Sequence, residues 1–465
     1  MQQNMQWAQL FSVRRTDDAH DKQYTSDRIR NSFQKDYDRI IFSSAFRRLQ
    51  NKTQVFPLPG PVFVHNRLTH SLEVASVGRS LGKAVGERIA AKYPTESESF
   101  REFYRHELAT VVSAACLAHD IGNPPFGHSG EDAIRAFFRE TGGTQRKMLQ
   151  ENMSPNQLRD FECFEGNSNA FRILTHHFNE AASPYNLTIT SLASIVKYPC
   201  SSIEGFNKKT GLVSTKKSGF FDSEIDTYEN LAAELNILKI PGYEHVYARH
   251  PFVYLTEAAD DICYRIIDLE DAHRLHIVSL EKILELFMPF FRDEAAYNTL
   301  AHVEARLGSI NDPNQKVQYL RAVWIGMMVQ KMADIFLEHE PALLSGTLQQ
   351  SLMDLMPPAY QQLLDEVNSF SVKKIYNYKS VVEIEIAGFH VIGGLLKEFT
   401  DAVLNPEAVK SGKLLQLISE QFPVRPGKDH LYENIQSVVD FISGMTDLYA
   451  IDLYRKITGI HVTGL

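Results

Sequence analysis

Residues 108–131 read LATVVSAACLAHDIGNPPFGHSGE, and this stretch decides the fold class. Its apolar run up to Ala118 indicates a buried helix, which cannot continue through Asn123-Pro124-Pro125. The adjacent pair His119-Asp120 therefore ends a buried helix. A buried carboxylate beside an imidazole is unfavourable unless both groups are paired or bind a cation. Imidazole and carboxylate ligands together suit divalent cations such as Mn, Fe, Zn, Ni or Mg, so the pair indicates a metal site.

The sequence on both sides of this stretch has helical periodicity. Pro251 opens one of these patterns, as is typical of the first turn of a helix. Ser129, with Asp132 three residues later, predicts a capped start for the helix over 131–138. The remaining predicted helices are 69–91, 103–118, 317–337 and 431–456, and residues 199–250 predict a loop or a small β excursion. The chain is therefore predicted to be all-α.

Composition excludes several classes of protein. The chain has 465 residues, of which 44% are hydrophobic and 23% charged, and its net charge of −9 excludes a chromatin-like or polybasic membrane protein. The four cysteines form no C-x-x-C pair, which argues against a disulfide framework or a cysteine-zinc site. The N-terminus does not have the pattern of a signal peptide, and no stretch approaches the ~18 apolar residues of a membrane span. We therefore expect a cytoplasmic protein without a membrane partner.

Further candidate ligands lie on two other predicted helices. His70 lies at the head of one, and Asp260 and Asp261 lie in the middle of another. Adjacent acids usually split between the interior and solvent. Asp261 has Arg265 as an i+4 partner on the surface, which leaves Asp260 facing inward.

Tyr264 and Asp268 follow Asp260 at four-residue steps on one stripe, about 6 Å apart per step. A metal ligand, an aromatic ring and a second acid in this order could match a phosphate, a sugar ring and a sugar hydroxyl. The same spacing also fits an interhelical network of buried acids and arginines, and Tyr264 also fits ordinary core packing.

Several long motifs carry a family resemblance. They are FRRLQNKTQVF (46–56), HNRLTHSLEV (65–74), LAHDIGNPPFGHSGE (117–131), FEGNSNAFRIL (164–174) and EAADDICYRIIDLEDA (257–272). Together they resemble the deoxyguanosine-triphosphate triphosphohydrolase family of the HD-domain phosphohydrolases, from about Arg39 through Asp271. The resemblance implies an all-α HD-domain fold with an additional C-terminal helical region. Residues 1–275 would form an N-terminal segment and the catalytic core, and residues 276–465 a helical region packed on that core.

The resemblance also implies the reaction, which is hydrolysis of dGTP, or of dNTPs more broadly, at the α-phosphorus to a deoxynucleoside and inorganic triphosphate. The family's metal ligands fall on four residues of this chain, which would hold one divalent ion (Mn, Mg, Fe, Ni or Zn): His70, His119, Asp120 and Asp260.

The family's remaining functional positions also have counterparts. The catalytic histidine falls on His128 and its acidic partner on Glu131. The sugar-recognising positions fall on Gln54, Tyr264 and Asp268. The phosphate-binding positions fall on Arg67, on Lys197 and on either Lys216 or Lys217. Of the last two, we predict Lys217 as the phosphate-binding residue.

These residue types are suited to the implied reaction. A bound metal ion would stabilise charge on an α-phosphate oxygen. Arg67 and the lysines can clamp the outer phosphates, and arginine fits a pair of oxygens best. His128, oriented by Glu131, is suited to proton transfer near neutral pH. We prefer activation of the attacking water as its role, with protonation of the leaving sugar oxygen as the alternative.

Different residues would recognise the sugar and the base of the substrate. Tyr264 stacked on the sugar would leave little room for a 2′-hydroxyl, while Gln54 and Asp268 can bind the 3′-hydroxyl. Guanine requires an acid facing its N1 and N2, for which the sequence offers Glu383 or Glu385 without choosing between them.

Two other functions compete with this prediction. One is a broader-specificity HD nucleotide phosphohydrolase, although the single four-ligand set favours a mononuclear site over a two-metal site. The other is a nucleotide-gated regulator or single-strand nucleic-acid binder with weak catalysis. Its candidate surface is a basic strip that could equally be a solvated or salt-bridged face: Arg28, Arg30, Lys35, Arg47, Arg48 and Lys52.

Oligomer formation is implied by the resemblance, because similar proteins form oligomers, often hexamers. A homo-oligomer is therefore expected. The apolar stripe that could bury such an interface, or belong to the core of the monomer, consists of Val438, Val439, Phe441, Ile442, Met445 and Leu448.

Overall fold

Helices form nearly all the regular structure in the computed structural model. It describes residues 4–17, 30–57, 63–178, 185–292, 300–425 and 427–460, without the side chain of residue 428. The α-helices of seven or more residues in the first half of the chain are α1 (Ser32–Phe42), α2 (Arg67–Lys92), α3 (Leu108–Ala118), α4 (His128–Glu140), α5 (Gly143–Asn152), α6 (Pro155–Glu162), α7 (Gly166–Thr175) and α8 (Ile225–Glu234). Those in the second half are α9 (Pro251–Arg274), α10 (Leu280–Phe287), α11 (Leu300–Gly308), α12 (Pro313–Glu338), α13 (Pro358–Ser371), α14 (Lys379–Leu404), α15 (Val409–Leu415), α16 (Leu431–Ser443) and α17 (Asp447–Ile457).

The described residues contain no β-strand, only isolated β-bridges, so the prediction of an all-α chain is confirmed. Short helices complete the fold, and two π-helical turns occur at Phe103–Glu107, before α3, and at Val372–Tyr376, before α14. In these same parts of the chain, no helix combines the length and the apolar composition needed to cross a membrane.

Long periodic segments form the predicted helices, and local caps explain where they begin. The predicted helices over 69–91 and 317–337 are α2 and α12. In α9, Pro251 occupies the first turn as predicted, and the His250 ring accepts a hydrogen bond from the Phe252 backbone N–H. The region 199–250 contains isolated bridges and the helix α8, which the sequence analysis did not predict.

Two predicted boundaries are wrong. The predicted helix over 431–456 is divided into α16 and α17, because α16 ends at Ser443 with Gly444 as its C-cap, and the Thr446 hydroxyl caps the start of α17. The predicted cap at Ser129 is also wrong, since α4 begins at His128 with Gly127 as its N-cap. Gly127 has a φ of +59°, and a Cβ there would lie 2.5 Å from an Arg67 guanidinium nitrogen.

Two hydrophobic cores organise the helices. The first is built around α2, α3, α9 and α12 and extends from Met5 to Val381. The second joins residues of 126–164 to apolar residues of α14–α17. Helices α4–α6 therefore share a core with the C-terminal helices, and the domain boundary at 275 stays a prediction.

The apolar stripe of α16 and α17 lies mostly inside this second core. Val438, Val439, Ile442 and Met445 are at most 3% exposed and Phe441 is 6% exposed, so they belong to the core of the monomer. Leu448, in contrast, is 63% exposed. The stripe as a whole is therefore not a surface that a second copy could cover.

A glycine stripe on α2 brings α2 and α3 into backbone contact. Gly78, Gly82 and Gly86 follow one another at four-residue spacing, so they share one face of the helix. A Cβ on Gly86 would lie 1.9 Å from the carbonyl oxygen of Tyr104, in the π-helical turn before α3. A Cβ on Gly82 would lie 2.8 Å from the Ala109 Cα in α3, and one on Gly78 would lie 2.4 Å from the Cys116 sulfur. The two helices are therefore antiparallel, and the start of α2 lies beside the end of α3. His70 and His119 meet for this reason.

We expect Gly86→Ala to lower the free energy of unfolding by about 1–3 kcal/mol, because the new methyl group overlaps a backbone carbonyl that cannot move aside. Gly326→Ala in α12 is the matched control, since a Cβ there meets no atom within 4 Å. It should raise the free energy of unfolding by about 0.4–1 kcal/mol. Urea unfolding of both variants measures the two changes. Equal changes would contradict the close contact between α2 and the π-helical turn that precedes α3.

The predicted basic strip does not form as a continuous surface. Arg28 lies outside the described residues. Lys52 is 2% exposed and donates hydrogen bonds into the interior, so its ammonium group is not available to a nucleic-acid strand. Arg30 forms an ion pair with Asp38, and Arg47 lies over the ring of Phe42. Including Lys52 in the strip was therefore wrong, because the side chain points into the protein.

Candidate active site

A cavity lies between several helices. Its volume of about 560 Å³ is within the usual range for sites that bind small molecules. It is lined by all the residues taken forward as site residues from the sequence: Gln54, Arg67, His70, His119, Asp120, His128, Glu131, Lys197, Lys217, Tyr264, Asp260 and Asp268. Lys216 is absent from the lining, whereas Lys217 is part of it. The fold therefore brings together residues that are more than two hundred positions apart in the chain.

Three potential metal ligands converge in this cavity. The ligand atoms of His70, His119 and Asp260 all lie within 4.8 Å of one another. The His70 Nε2 is 3.0 Å and the His119 Nε2 3.6 Å from the Asp260 Oδ1. Two imidazole nitrogens and one carboxylate oxygen form a donor set that fits a divalent transition metal.

The charged groups of this cluster shift one another's pKa values. Burial alone would raise the pKa of the Asp260 carboxyl, but the nearby His119 and the hydrogen bond with His70 hold it well below its usual range. Burial opposes protonation of His70, but Asp260 outweighs that effect and raises the His70 pKa. An anionic carboxylate is therefore held between two imidazoles, as a cation site requires.

Asp120, the fourth predicted ligand, lies next to this cluster with its carboxylate turned towards Arg67. The Arg67 Nη1 donates to the Asp120 Oδ2 over 2.7 Å, and the Asn123 amide donates to the Asp120 Oδ1. The Asp120 Oδ2 is 3.6 Å from the His119 Nε2. Its role as a ligand stays a prediction.

Asp261 lines the same cavity as Asp260, so the prediction that it faces solvent is wrong. Its side chain is 18% exposed, less than the 30% of Asp260. The predicted ion pair with Arg265 is present at 3.6 Å. Adjacent residues on a helix are only about 100° apart, and the cavity is wide enough to include both. Burial raises the pKa of Asp261 to about 6.

His128 and Glu131 form a hydrogen-bonded pair on the first turn of α4. The His128 Nδ1 lies 3.2 Å from the Glu131 Oε2, and the Glu131 Oε1 accepts the Gly166 backbone N–H over 2.8 Å. The imidazole is 78% exposed, whereas the Glu131 carboxylate is 2% exposed. The buried acid is thus fixed in place, while the imidazole is accessible from the cavity.

This pairing raises the pKa of His128, because the hydrogen bond and the charge of Glu131 favour the imidazolium. Burial would raise the pKa of Glu131, but the bond with His128 and the charges of Lys217 and Arg135 outweigh it and lower the pKa to about 2. Glu131 is therefore anionic at neutral pH and can orient the ring of His128.

Three cationic side chains surround the cavity, each paired with a carboxylate. Arg67 pairs with Asp120, Lys197 with Glu257 at 3.2 Å, and Lys217 with Glu165 at 2.8 Å. These carboxylates hold the pKa values of both lysines above their usual range, although burial by itself would lower them. The cations are therefore charged and positioned where an anionic ligand could replace or join their partners.

The Asp268 end of the cavity is built from residues distant in sequence. The Asp268 Oδ2 accepts a hydrogen bond from the Tyr376 hydroxyl over 2.7 Å. Burial raises the pKa of Asp268 to about 7. The Gln54 Oε1 is buried without a hydrogen-bond partner among the described residues. Gln54 can therefore accept a hydrogen bond from a ligand.

Sequence reasoning missed Tyr376, Glu165 and Glu257 as cavity residues. Tyr376 lies more than one hundred residues from Asp268, so no local spacing could have connected them. Glu165 was inside one of the family motifs, but its partner Lys217 follows an irregular segment. Of the two acids considered for a base, Glu385 lines the cavity, whereas Glu383 forms an exposed ion pair with Lys379.

The sequence matches two known domain families and is similar to several known proteins. Residues 67–199 match the HD domain, and residues 355–456 match the phosphohydrolase-associated domain. The chain is 37% identical, over 98% of its length and 100% of the relative's, to a deoxyguanosinetriphosphate triphosphohydrolase-like protein from Synechocystis sp.. A protein of the same name from Listeria monocytogenes is 34% identical over 98% of this chain and 100% of its own length. A deoxyguanosinetriphosphate triphosphohydrolase from Yersinia enterocolitica is 31% identical over 92% of this chain and 94% of its own length.

Proposed function

The chain belongs to the deoxyguanosinetriphosphate triphosphohydrolase-like family of HD-domain proteins, and on that basis we propose that it hydrolyses dGTP to deoxyguanosine and inorganic triphosphate. The observation that carries this proposal is that one cavity contains three kinds of group. The pair His128–Glu131, the cluster of His70, His119 and Asp260, and three cationic side chains all line it. A proton-transfer group, a cation site and a phosphate-binding region are the parts that attack at a phosphorus requires.

Arg67, Lys197 and Lys217 bind the triphosphate in this proposal. Each is already charged and held by a carboxylate at the cavity wall. A phosphate oxygen can take over one or more of these hydrogen bonds without leaving a buried cation unpaired. Arg67 can offer two parallel N–H groups, which suits a phosphate better than a single ammonium does.

His128 acts as the general base in the proposed mechanism. Its Nδ1 faces Glu131, so the Nε2 is the nitrogen available to take a proton from the attacking water. Glu131 stabilises the imidazolium that forms. A divalent cation held by His70, His119 and Asp260, with Asp120 as a further predicted ligand, would supply Lewis-acid stabilisation of phosphoryl charge.

Tyr264, Gln54 and Asp268 select the deoxyribose. Tyr264 stacks on the sugar and leaves little room for a 2′-hydroxyl. Gln54 has an unused acceptor atom, and Asp268 has a carboxylate already held by Tyr376, so both can bind the 3′-hydroxyl. Glu385 is the acid that we assign to the guanine base, because it lines the cavity.

Product analysis tests the proposed reaction. We would incubate the protein with dGTP, dATP, dCTP, dTTP or GTP, each with Mn²⁺ or Mg²⁺. We expect triphosphate and deoxynucleoside in equal amounts, with dGTP turned over fastest and GTP slowest. Pyrophosphate or orthophosphate as the phosphate product would contradict attack at the α-phosphorus. Equal rates with all four dNTPs would instead favour the broader-specificity enzyme.

The pH dependence of kcat tests the role of His128. Its pKa is raised by Glu131, while Lys217 and Arg67 oppose that shift, so a base at this position becomes active only above the ordinary histidine pKa of about 6.5. We expect kcat to rise with pH through this raised pKa. In Glu131→Gln the midpoint should move to lower pH and the maximal kcat should fall by about 10–100-fold, because the ring loses its oriented partner.

Asp132→Asn is the matched control for this measurement. Asp132 lies on the same helical turn, pairs with Arg135 and is 58% exposed. Its substitution should leave the midpoint of the pH profile unchanged. A kcat that falls as pH rises through the same range would contradict the general-base role and assign His128 to protonation of the leaving group.

A further inference from the structure

The loop that leads into His128, here called the His128 loop (residues 121–127), has an unusual backbone. It connects His119-Asp120 to α4 and contains two consecutive residues with positive φ, Phe126 at 63° and Gly127 at 59°. A non-glycine residue with positive φ is uncommon and persists only where surrounding contacts hold it. The contacts that hold this loop therefore decide where His128 lies.

One of these contacts comes from the C-terminal helices. The Asp447 Oδ1 accepts the backbone N–H of Phe126 over 3.0 Å, two residues before His128. The Asp447 Oδ2 accepts the backbone N–H of Thr53 over 2.9 Å, one residue before Gln54. One carboxylate thus fixes two cavity-lining segments to each other. Asp447 is 4% exposed and is itself absent from the cavity lining.

A buried lysine completes the same junction. The Lys52 Nζ donates to the Asn123 carbonyl over 2.5 Å and to the Ser443 carbonyl over 2.8 Å. It therefore links the His128 loop to the end of α16, just before Asp447. Burial and the charge of Arg48 lower the pKa of Lys52, which Asp447 partly offsets.

We propose that Asp447 is a positioning residue, which holds His128 and Gln54 in the arrangement that hydrolysis requires. The proposal rests on the proposed function for its catalytic consequence. Its physical basis is that hydrogen bonds from one buried carboxylate to two loop backbones fix the distance between those loops.

Asp447→Asn tests this proposal with little change in shape. An amide keeps one acceptor oxygen but points an NH₂ group at the second backbone N–H, so one of the two loops loses its partner. We expect kcat with dGTP to fall by about 10²-fold, since small displacements of catalytic groups have effects of this size. The midpoint of the pH profile should also move to lower pH, as the contact of His128 with Glu131 loosens.

Asp440→Asn is the matched control. Asp440 is equally buried, lies on α16 and pairs with Arg172, outside the cavity lining. Both substitutions remove a buried carboxylate, so both should destabilise the protein. Only Asp447→Asn should move the midpoint of the pH profile. An equal shift of the midpoint in both variants, or no shift in either, would overturn the proposal.

Amide hydrogen exchange provides a readout independent of activity. Peptides covering 52–56 and 120–128 should exchange faster in Asp447→Asn than in the wild type or in Asp440→Asn. Unchanged exchange in both peptides would overturn the proposal whether or not the protein is active. A wild type that does not hydrolyse any dNTP would overturn the proposed function, and the exchange difference would still decide whether Asp447 holds the two loops.

Asp447→Glu distinguishes the loss of the two hydrogen bonds from a general loss of stability. Glutamate keeps two acceptor oxygens but is longer by one methylene group. If acceptance of the two N–H groups is what matters, Asp447→Glu should retain more of the wild-type kcat than Asp447→Asn, although it changes the volume more. The reverse order would show that packing at this position dominates, and would overturn the proposal.

Discussion

Replacing His128 with alanine should lower the rate of dGTP hydrolysis by about 10²–10⁴-fold, which is the usual contribution of general acid–base catalysis. The side chain lines the cavity and is 78% exposed, so its removal should leave the fold and the melting temperature nearly unchanged. Arg67, Lys197 and Lys217 remain in place, so binding of dGTP should change little. The measurements are kcat for triphosphate release and the dissociation constant for dGTP, determined on the same preparation.

His302→Ala is the control for this prediction, because His302 is exposed on α11 and absent from the cavity lining. It should keep the wild-type kcat. A loss of dGTP binding that matched the loss of kcat in His128→Ala would indicate a binding role instead of proton transfer. Full activity in His128→Ala would remove His128 from the mechanism.

Loss of the metal site should have an effect of similar or greater size. We expect chelation, or the substitution Asp260→Asn, to lower kcat on the order of 10³-fold, since Lewis-acid stabilisation of a phosphoryl transition state contributes several kcal/mol. Asp260 is the carboxylate shared by both imidazoles, so an amide there should also lower the metal content of the purified protein. Elemental analysis measures that content directly, independently of activity. Re-addition of Mn²⁺ should restore the chelated wild type but not the variant.

Asp261→Asn is a stringent control for Asp260→Asn. The two aspartates are adjacent on α9 and line the same cavity, but Asp261 pairs with Arg265 and is not in the cluster with His70 and His119. We expect Asp261→Asn to keep its metal content. If Asp261→Asn lost the metal and Asp260→Asn kept it, the assignment of the ligand would be reversed. Wild-type activity after complete removal of metal would contradict a metal-dependent reaction altogether.

Local properties of the sequence predicted the helical elements well. Proline at the first turn and the apolar period placed α9, and the stripe of Asp260, Tyr264 and Asp268 does line one cavity. The wrong predictions concern helix starts and side-chain directions that depend on residues distant in the sequence. Serine is a good N-cap in general, yet the N-cap of α4 is Gly127, two residues earlier, where a positive φ and the close approach of Arg67 both favour a residue without a Cβ.

Lys52 and Lys217 show the same limit for charged residues. Both belong to basic segments whose sequence does not indicate where each side chain points. The Lys52 side chain points into the interior, whereas the Lys217 side chain lines the cavity. Lys52 can be buried because two carbonyl oxygens, from distant parts of the chain, accept hydrogen bonds from its Nζ. Lys217 lines the cavity beside Glu165, whereas Lys216 is absent from the lining.

The sequence by itself determined the all-α class, the family and twelve of the residues that line the cavity, because periodicity, helix-ending residues and motifs are properties of short segments. Only the tertiary structure decided which of these residues touch. The glycine stripe of α2 sets the distance between His70 and His119. From later parts of the chain, Tyr376 donates a hydrogen bond to Asp268, and Asp447 accepts the backbone N–H groups of two cavity-lining segments. Such contacts depend on how whole helices pack, and packing is fixed by the summed surfaces of many residues that are far apart in the chain.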